Sequence, residues 1–165
     1  MKKKVSVLWL IPILLLIAID QITKQYFYLN KLMYQEKEMI KDFFYLTYLE
    51  NKGASFSMLQ NFRWGLVGIS IIAVLVMVWF FIKNNAFLAR LALSFVLAGA
   101  FGNLIDRVRQ GFVIDFLHFY PFGYNFPVFN IADVCVNIGA FLLVVWVLFF
   151  YHETNMKKES RYIWK

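Results

Sequence analysis

The chain has a single cysteine, Cys135, and only two histidines, His118 and His152. One cysteine rules out a disulfide within the chain. It lies inside an apolar run, so it reads as a small buried hydrophobe rather than a nucleophile. No Leu-x-x-Cys precedes it, which excludes a lipidation site there. No Cys/His cluster offers the ligand spacing of a zinc site. The two histidines are expected on opposite sides of a membrane and cannot serve one centre. A serine nucleophile elbow is lacking too, because Gly53-Ala54-Ser55-Phe56 has no second glycine in place. There are no internal repeats, no low-complexity tracts and no linker. Charge is scarce: 16% of 165 residues are charged and 61% are hydrophobic. Soluble domains are about 45–50% apolar, which leaves little of this chain for one.

Four apolar segments account for most of what is there. Val5–Ile19 is broken only by Ser6 and Pro12, Trp64–Ile82 and Val134–Tyr151 carry no charge, and Leu91–Ile105 extends back to Ala86 if Arg90 snorkels. A spanning helix needs about 20 residues. The expected fold class is therefore mainly α and integral to a membrane. Four transmembrane helices, roughly 5–23, 64–82, 86–105 and 132–151, belong to one membrane-embedded domain over residues 1–165. Lys2-Lys3-Lys4 before an apolar stretch resembles a secretory signal peptide, but no Ala-x-Ala-like site follows. The segment is read as a retained helix.

Basic residues set the orientation. Lys2, Lys3, Lys4, Lys83, Arg90, Lys157, Lys158, Arg161 and Lys165 fall on the side of the termini and sit close to the spans. The other side carries nearly as many, Lys24, Lys31, Lys37, Lys41, Lys52, Arg63, Arg107 and Arg109, so density decides: Lys31, Lys37 and Lys41 lie in the middle of a long loop. Both termini are expected to be cytoplasmic. The basic balance then belongs to the inner membrane face, with no nucleic acid as partner.

The external loops are aromatic. Asp42–Leu49 is dense in aromatic and β-branched residues and predicts a strand. Asn51-Lys52-Gly53 is a turn signal, and Ala54–Met58 is expected to return as a second strand. A small extracytoplasmic β-sheet lying at the membrane surface follows. Asp106–Ala132 is expected to be a second external loop, at the headgroup level.

Two acids stand out against this background. Asp115 interrupts Val113-Ile114-Asp115-Phe116-Leu117, and Asp133 opens the last apolar run. An aspartate at the centre of a spanning helix costs about 2.5–3.5 kcal/mol, so two of them at a membrane boundary point to chemistry. Other polar residues recur at helical spacing. Asp20 and Lys24 are four apart and can pair. Gly99, Asn103 and Arg107 are successively four apart, with Asp106 three from Asn103. Asn130, Asp133 and Asn137 line one face of the fourth helix. Ser94, Ala98 and Gly102 form a small-residue stripe that lets another helix approach. The bland alternative is local. Asn130 is a candidate N-cap, Asp133 suits the positive end of a helix dipole, and Asp106-Arg107 reads as a surface ion pair of little worth. Taken singly, Asp20, Lys24, Asp106 and Arg107 read as structural. Asp115 has no local basic partner, which weakens the bland reading there.

A carboxylate pair has a specific use. Two nearby carboxyls cannot both ionise cheaply, so one keeps a proton. The charged member takes a proton from water while the neutral one polarises a scissile carbonyl. Asn103, Asn130, Asn137 and Arg107 are placed to orient substrate or support the acids. The same features leave two other readings open. One is a proton-coupled carrier, disfavoured because no acidic residue reaches the cytoplasmic half of any span. The other is a non-catalytic scaffold.

Five motifs then appear in order. They are Asp20-Gln21-Ile22-Thr23-Lys24, Glu50-Asn51-Lys52-Gly53-Ala54-Ser55-Phe56, Gly99 to Arg107, Gly111-Phe112-Val113-Ile114-Asp115-Phe116, and Phe129-Asn130-Ile131-Ala132-Asp133. Together they resemble the prolipoprotein signal peptidases, or signal peptidase II, with no departure at a motif position. The resemblance implies an aspartyl endopeptidase of the bacterial cytoplasmic membrane, its active site near the outer face. It implies cleavage of a prolipoprotein immediately before a cysteine carrying diacylglyceryl, within the lipid of the membrane. Asp115 and Asp133 would be the catalytic dyad. Asp20, Lys24, Asn51, Gly53, Asn103, Arg107, Asn130 and Asn137 would support them or contact substrate. No metal or organic cofactor is implied, and the cyclic peptide globomycin would inhibit.

Overall fold

A computed structural model of the chain describes residues 6–31, 33, 35–53 and 62–151. Among these, four helices dominate: α1 Leu10–Leu29, α2 Arg63–Lys83, α3 Phe87–Arg109 and α4 Ile131–Phe149. Each is long and apolar enough to cross a membrane. Their outer faces carry large apolar side chains. Leu14, Leu15, Ile72, Leu75, Phe141 and Val144 are all exposed. Water would not tolerate so much exposed apolar surface, but lipid tails do.

Lipid is as apolar as leucine, so burial of apolar area does not drive these helices together. Close packing through small residues does. α3 is the central helix and packs against the other three. Its Ala89, Ala92, Ser94, Ala98, Gly99 and Gly102 are buried. A Cβ added at Gly99 would lie 2.2 Å from the Ala132 carbonyl oxygen of α4, and one at Gly139 would lie 2.6 Å from the Ala92 carbonyl oxygen. The small-residue stripe has a second use at Gly102. A Cβ there would meet the Asp20 carboxylate at 2.5 Å, so this glycine makes room for a polar group. Gly99→Ala is therefore expected to destabilise by roughly 1–3 kcal/mol through overpacking, outweighing the gain in helix propensity of about 1 kcal/mol. Thermal unfolding in detergent checks this, and a raised Tm would contradict it.

α1 and α3 outlast their apolar runs, reaching Leu29 and Arg109. The reason is that Asp20, Lys24 and Asp106 turn inward and are buried. Hydropathy drops at these residues, yet the helices continue because their polar groups meet one another.

Three strands form an antiparallel sheet: β1 Lys37–Ile40, β2 Phe44–Asn51 and β3 Val113–Phe119, in that order. It sits at the end of the bundle where α1 and α3 finish and α2 and α4 begin. β2 is the strand expected from Asp42–Leu49. Its partners differ from expectation. The proposed return strand Ala54–Met58 lies outside the described residues. The segment expected to be a loop, Asp106–Ala132, instead contains β3, paired with β2 from Phe44 opposite Phe119 to Asn51 opposite Val113. β3 shows no alternation because residues on both faces are buried. Phe116 stacks on Phe27 of α1 at 4.2 Å between ring centroids. On its other edge β3 is bridged by Phe129, whose N–H donates to the Leu117 carbonyl at 3.0 Å. Gly111, at φ 88°, makes the turn from α3 into β3 in a backbone region that favours glycine.

Candidate active site

The site begins with the cap of α4. Asn130 is extended, and its Oδ1 accepts from the Asp133 N–H at 3.0 Å. The Asp133 Oδ2 accepts in return from the Asn130 N–H at 3.2 Å. This reciprocal pair is a capping box, and it fixes both side chains. The expected cap is therefore present, and it has a second consequence. With its oxygen committed to the helix, Asn130 must turn its amide nitrogen elsewhere. That nitrogen donates to Asp115 Oδ1 at 2.6 Å and to Asn103 Oδ1 at 3.2 Å.

Asp115 comes to the same place from β3. Its Oδ2 accepts from the Asn51 amide nitrogen at 2.9 Å. Asn51, at the end of β2, is itself oriented by the Gly53 N–H, which donates to its Oδ1 at 3.0 Å. Asp133 Oδ1 accepts from the Asn103 amide nitrogen at 2.8 Å. The two acids are thus joined through Asn130 and Asn103, although 17 residues of strand, loop and cap separate them in the chain. Asp115 is almost fully buried. Burial pushes its carboxyl up to about 7, the nearby Asp133 charge pushes the same way, and the Asn51 and Asn130 donors oppose both.

Behind this pair lies a buried ionic cluster. Lys24 Nζ meets Asp20 Oδ2 at 2.9 Å, Asp106 Oδ2 at 2.9 Å and Asn103 Oδ1 at 2.8 Å. The ammonium thus meets two carboxylates and one amide oxygen. Asp20 also accepts from the Ala132 N–H at 2.8 Å, satisfying a free donor at the start of α4. Asp20 and Lys24 pair as their spacing predicts. The expected Asp106–Arg107 surface pair is not what forms. Asp106 is 3% exposed and points to Lys24, because successive helical residues face different ways. Arg107 instead donates from Nη2 to the Gly53 carbonyl at 3.2 Å.

Asp115, Asp133, Asn51, Asn103, Arg107 and Asn137 line one cavity of about 600 Å³. Val113, Phe126, Val128, Val134 and Ile138 supply apolar wall. Asn137 is exposed there, with its amide nitrogen on the Asp133 carbonyl at 2.9 Å. Asp20, Lys24, Gly53 and Asn130 stand behind the wall and hold it. Cys135 is buried beside them. Among the described residues, no three His, Cys, Asp or Glu side chains converge as a metal site. Three contributors escaped the site residues expected from sequence. Gln21 donates to Asp20, Asp106 and the Gly102 carbonyl. Asp106 reads from sequence only as a neighbour of Asn103 and as half of a surface ion pair with Arg107. Arg63 binds carbonyls 44 and 45 residues away, which no local pattern reveals. Two carboxyls on one cavity, one of them holding a proton near neutral pH, suit hydrolysis by acid and base.

Comparison with known proteins agrees in sequence and in fold. Residues 12–149 match the model of the family described as signal peptidase (SPase) II. The lipoprotein signal peptidase of Clostridium tetani is 38% identical over 142 residues, covering 84% of this chain and 91% of that protein. That of Symbiobacterium thermophilum is 42% identical over 129 residues, covering 77% and 85%. A bacterial membrane enzyme solved at 2.3 Å superposes with a TM-score of 0.82 and 34% identity, over 90% of this chain and 92% of that one.

Proposed function

The chain belongs to the signal peptidase II family, and we propose that it removes signal peptides from prolipoproteins as an aspartyl endopeptidase of the bacterial cytoplasmic membrane. The bond cut is the one before a cysteine bearing diacylglyceryl. The observation that carries this reading is the Asn130 amide, which bridges towards both acids and leaves them on one cavity. Asp133 takes a proton from a water as the water attacks the scissile carbonyl carbon. Asp115, protonated at rest, gives its proton to the carbonyl oxygen. The tetrahedral diol collapses with C–N cleavage: the proton held by Asp133 passes to the leaving amine, and Asp115 takes back a hydroxyl proton as the carbonyl re-forms. No covalent intermediate forms, and the pair titrates as a unit. Asn51, Asn103, Arg107 and Asn137 contact substrate from the cavity wall. Asp20, Lys24, Gly53 and Asn130 hold those groups in place. The apolar wall suits a lipid-bearing substrate arriving from the membrane, and globomycin would compete for it. The site faces outward and both termini lie in the cytoplasm, as the basic residues argue.

The test is a detergent assay with a precursor peptide, with and without its diacylglyceryl group. Cleavage of the lipidated form before the cysteine is expected, unaffected by chelators and serine-protease inhibitors. Equal cleavage of both forms would sink the proposal. The pH profile has a defined sign. Asp115 is raised to about 7, so the neutral acid that the mechanism needs predominates below that value and disappears above it. kcat/KM is expected to fall as pH rises through about 7. It falls again in acid, because the mechanism also needs one ionised carboxyl in the pair, giving a bell. A profile still rising well above 7 contradicts the assignment.

A further inference from the structure

We propose that Arg63, at the first position of α2, is a positioning residue for the reaction: it anchors a hydrogen-bonded chain that ends on the Asp115 carboxyl. The inference rests on the peptidase reading above. Its starting point is the end of α3. The last carbonyls of a helix lack intrahelical partners, and a cation there is favourable. Arg63 Nε donates to the Arg107 carbonyl at 2.9 Å and its Nη2 to the Val108 carbonyl at 2.7 Å. The guanidinium lies over the Trp64 ring at 4.9 Å. It also fills the space beside Gly111, where a Cβ would stand 3.2 Å from Nη1. Arg63 thus fixes the final turn of α3 and the turn that leads into β3.

That final turn is where the chain of donors begins. Arg107 Nη2 donates to the Gly53 carbonyl at 3.2 Å, the Gly53 N–H donates to Asn51 Oδ1 at 3.0 Å, and the Asn51 amide donates to Asp115 Oδ2 at 2.9 Å. Each member orients the next. The Asn51 amide faces Asp115 with its nitrogen because its oxygen is taken by Gly53. Gly53 is held there by Arg107, and Arg107 is held by Arg63. Releasing the last turn of α3 loosens the two amide contacts of Asp115 seen among the described residues unequally: Asn130 keeps its cap, and Asn51 loses its support.

An arginine that merely caps a helix would stabilise the protein and nothing more. A double-mutant cycle separates the two roles. Wild type, Arg63→Ala, Arg63→Lys, Asn51→Ala and Arg63→Ala/Asn51→Ala are assayed on the lipidated precursor. Arg63→Ala is expected to lower kcat ~10–100-fold, the scale of a small misplacement of a reacting group, with KM little changed. Arg63→Lys, which keeps the charge but has a single nitrogen in place of the two that reach the carbonyls, recovers part of the loss. In the Asn51→Ala background the chain is already cut, so Arg63→Ala lowers kcat by less than about twofold, a coupling that independent sites do not show. Full kcat in Arg63→Ala, or the same fold-loss in both backgrounds, overturns the proposal. If Arg63→Ala does not purify folded, Arg63→Lys in the two backgrounds makes the same comparison. A wild type that fails to cleave, or an active Asp115→Asn, counts against the peptidase reading instead.

Discussion

Replacing Asp115 or Asp133 by Asn is expected to lower kcat roughly 10²–10⁴-fold, the range that a positioned acid or base supplies. The substitution keeps size and shape, so the loss reports chemistry rather than a cavity. It also has a readable structural cost. Both oxygens of Asp115 accept hydrogen bonds, from Asn130 and from Asn51. Neither donor can flip, since Asn130 caps α4 and Asn51 holds the Gly53 N–H. An amide at 115 has one acceptor for two fixed donors. Asp133 faces the same conflict between the Asn103 amide and the Asn130 N–H. Each variant is expected to lose about 1–3 kcal/mol of stability and still fold. Cleavage of the lipidated precursor, read beside thermal unfolding, checks both parts. Near wild-type kcat in either variant would remove the dyad.

Lys24→Met is expected to be the most damaging single change to the fold, at about 3–5 kcal/mol. Lys24 is 1% exposed and is the counter-charge to Asp20 and Asp106. Without it, two carboxyls remain buried with their charge uncompensated. The effect reaches the site as well. Lys24 holds the oxygen of Asn103, which obliges the Asn103 nitrogen to face Asp133. Once free, that amide can rotate and present oxygen to an acid. Thermal unfolding in detergent measures the first effect. The triple variant Asp20→Asn/Lys24→Met/Asp106→Asn supplies the control. It removes all three charges together and is expected to recover much of the stability, because neutralising a buried cluster costs less than breaking it. A Tm for Lys24→Met equal to wild type would show that the cluster contributes nothing.

Much of this architecture is legible in the residues alone. The four helices follow from run length and missing charge, and β2 follows from Phe44 to Leu49. Asp20 with Lys24 and Asn130 with Asp133 are local pairs at spacings that helical geometry fixes. What escapes is non-local. β3 has no alternating pattern because it is covered on both faces, so its seven residues resemble any short apolar run. Asp106 stands next to Arg107 in the chain, yet its partner is Lys24 on another helix. Arg63 carries no local sign of its role, since the carbonyls it binds lie at the end of another helix. The meeting of Asp115 with Asp133 depends on β3 pairing with β2 while Asn130 caps α4, and no spacing within one segment encodes that.

The central claim is that Asp115 keeps a proton near neutral pH because it is buried beside the charge of Asp133. Infrared difference spectroscopy of the purified protein reads that proton directly, through the carboxylic C=O band. The band lost in Asp115→Asn is expected to titrate with a midpoint near 7, and in Asp133→Asn the midpoint should move to lower pH, since the neighbouring negative charge is gone. An Asp115 band with the midpoint of an ordinary surface carboxyl, unmoved by Asp133→Asn, would contradict the account.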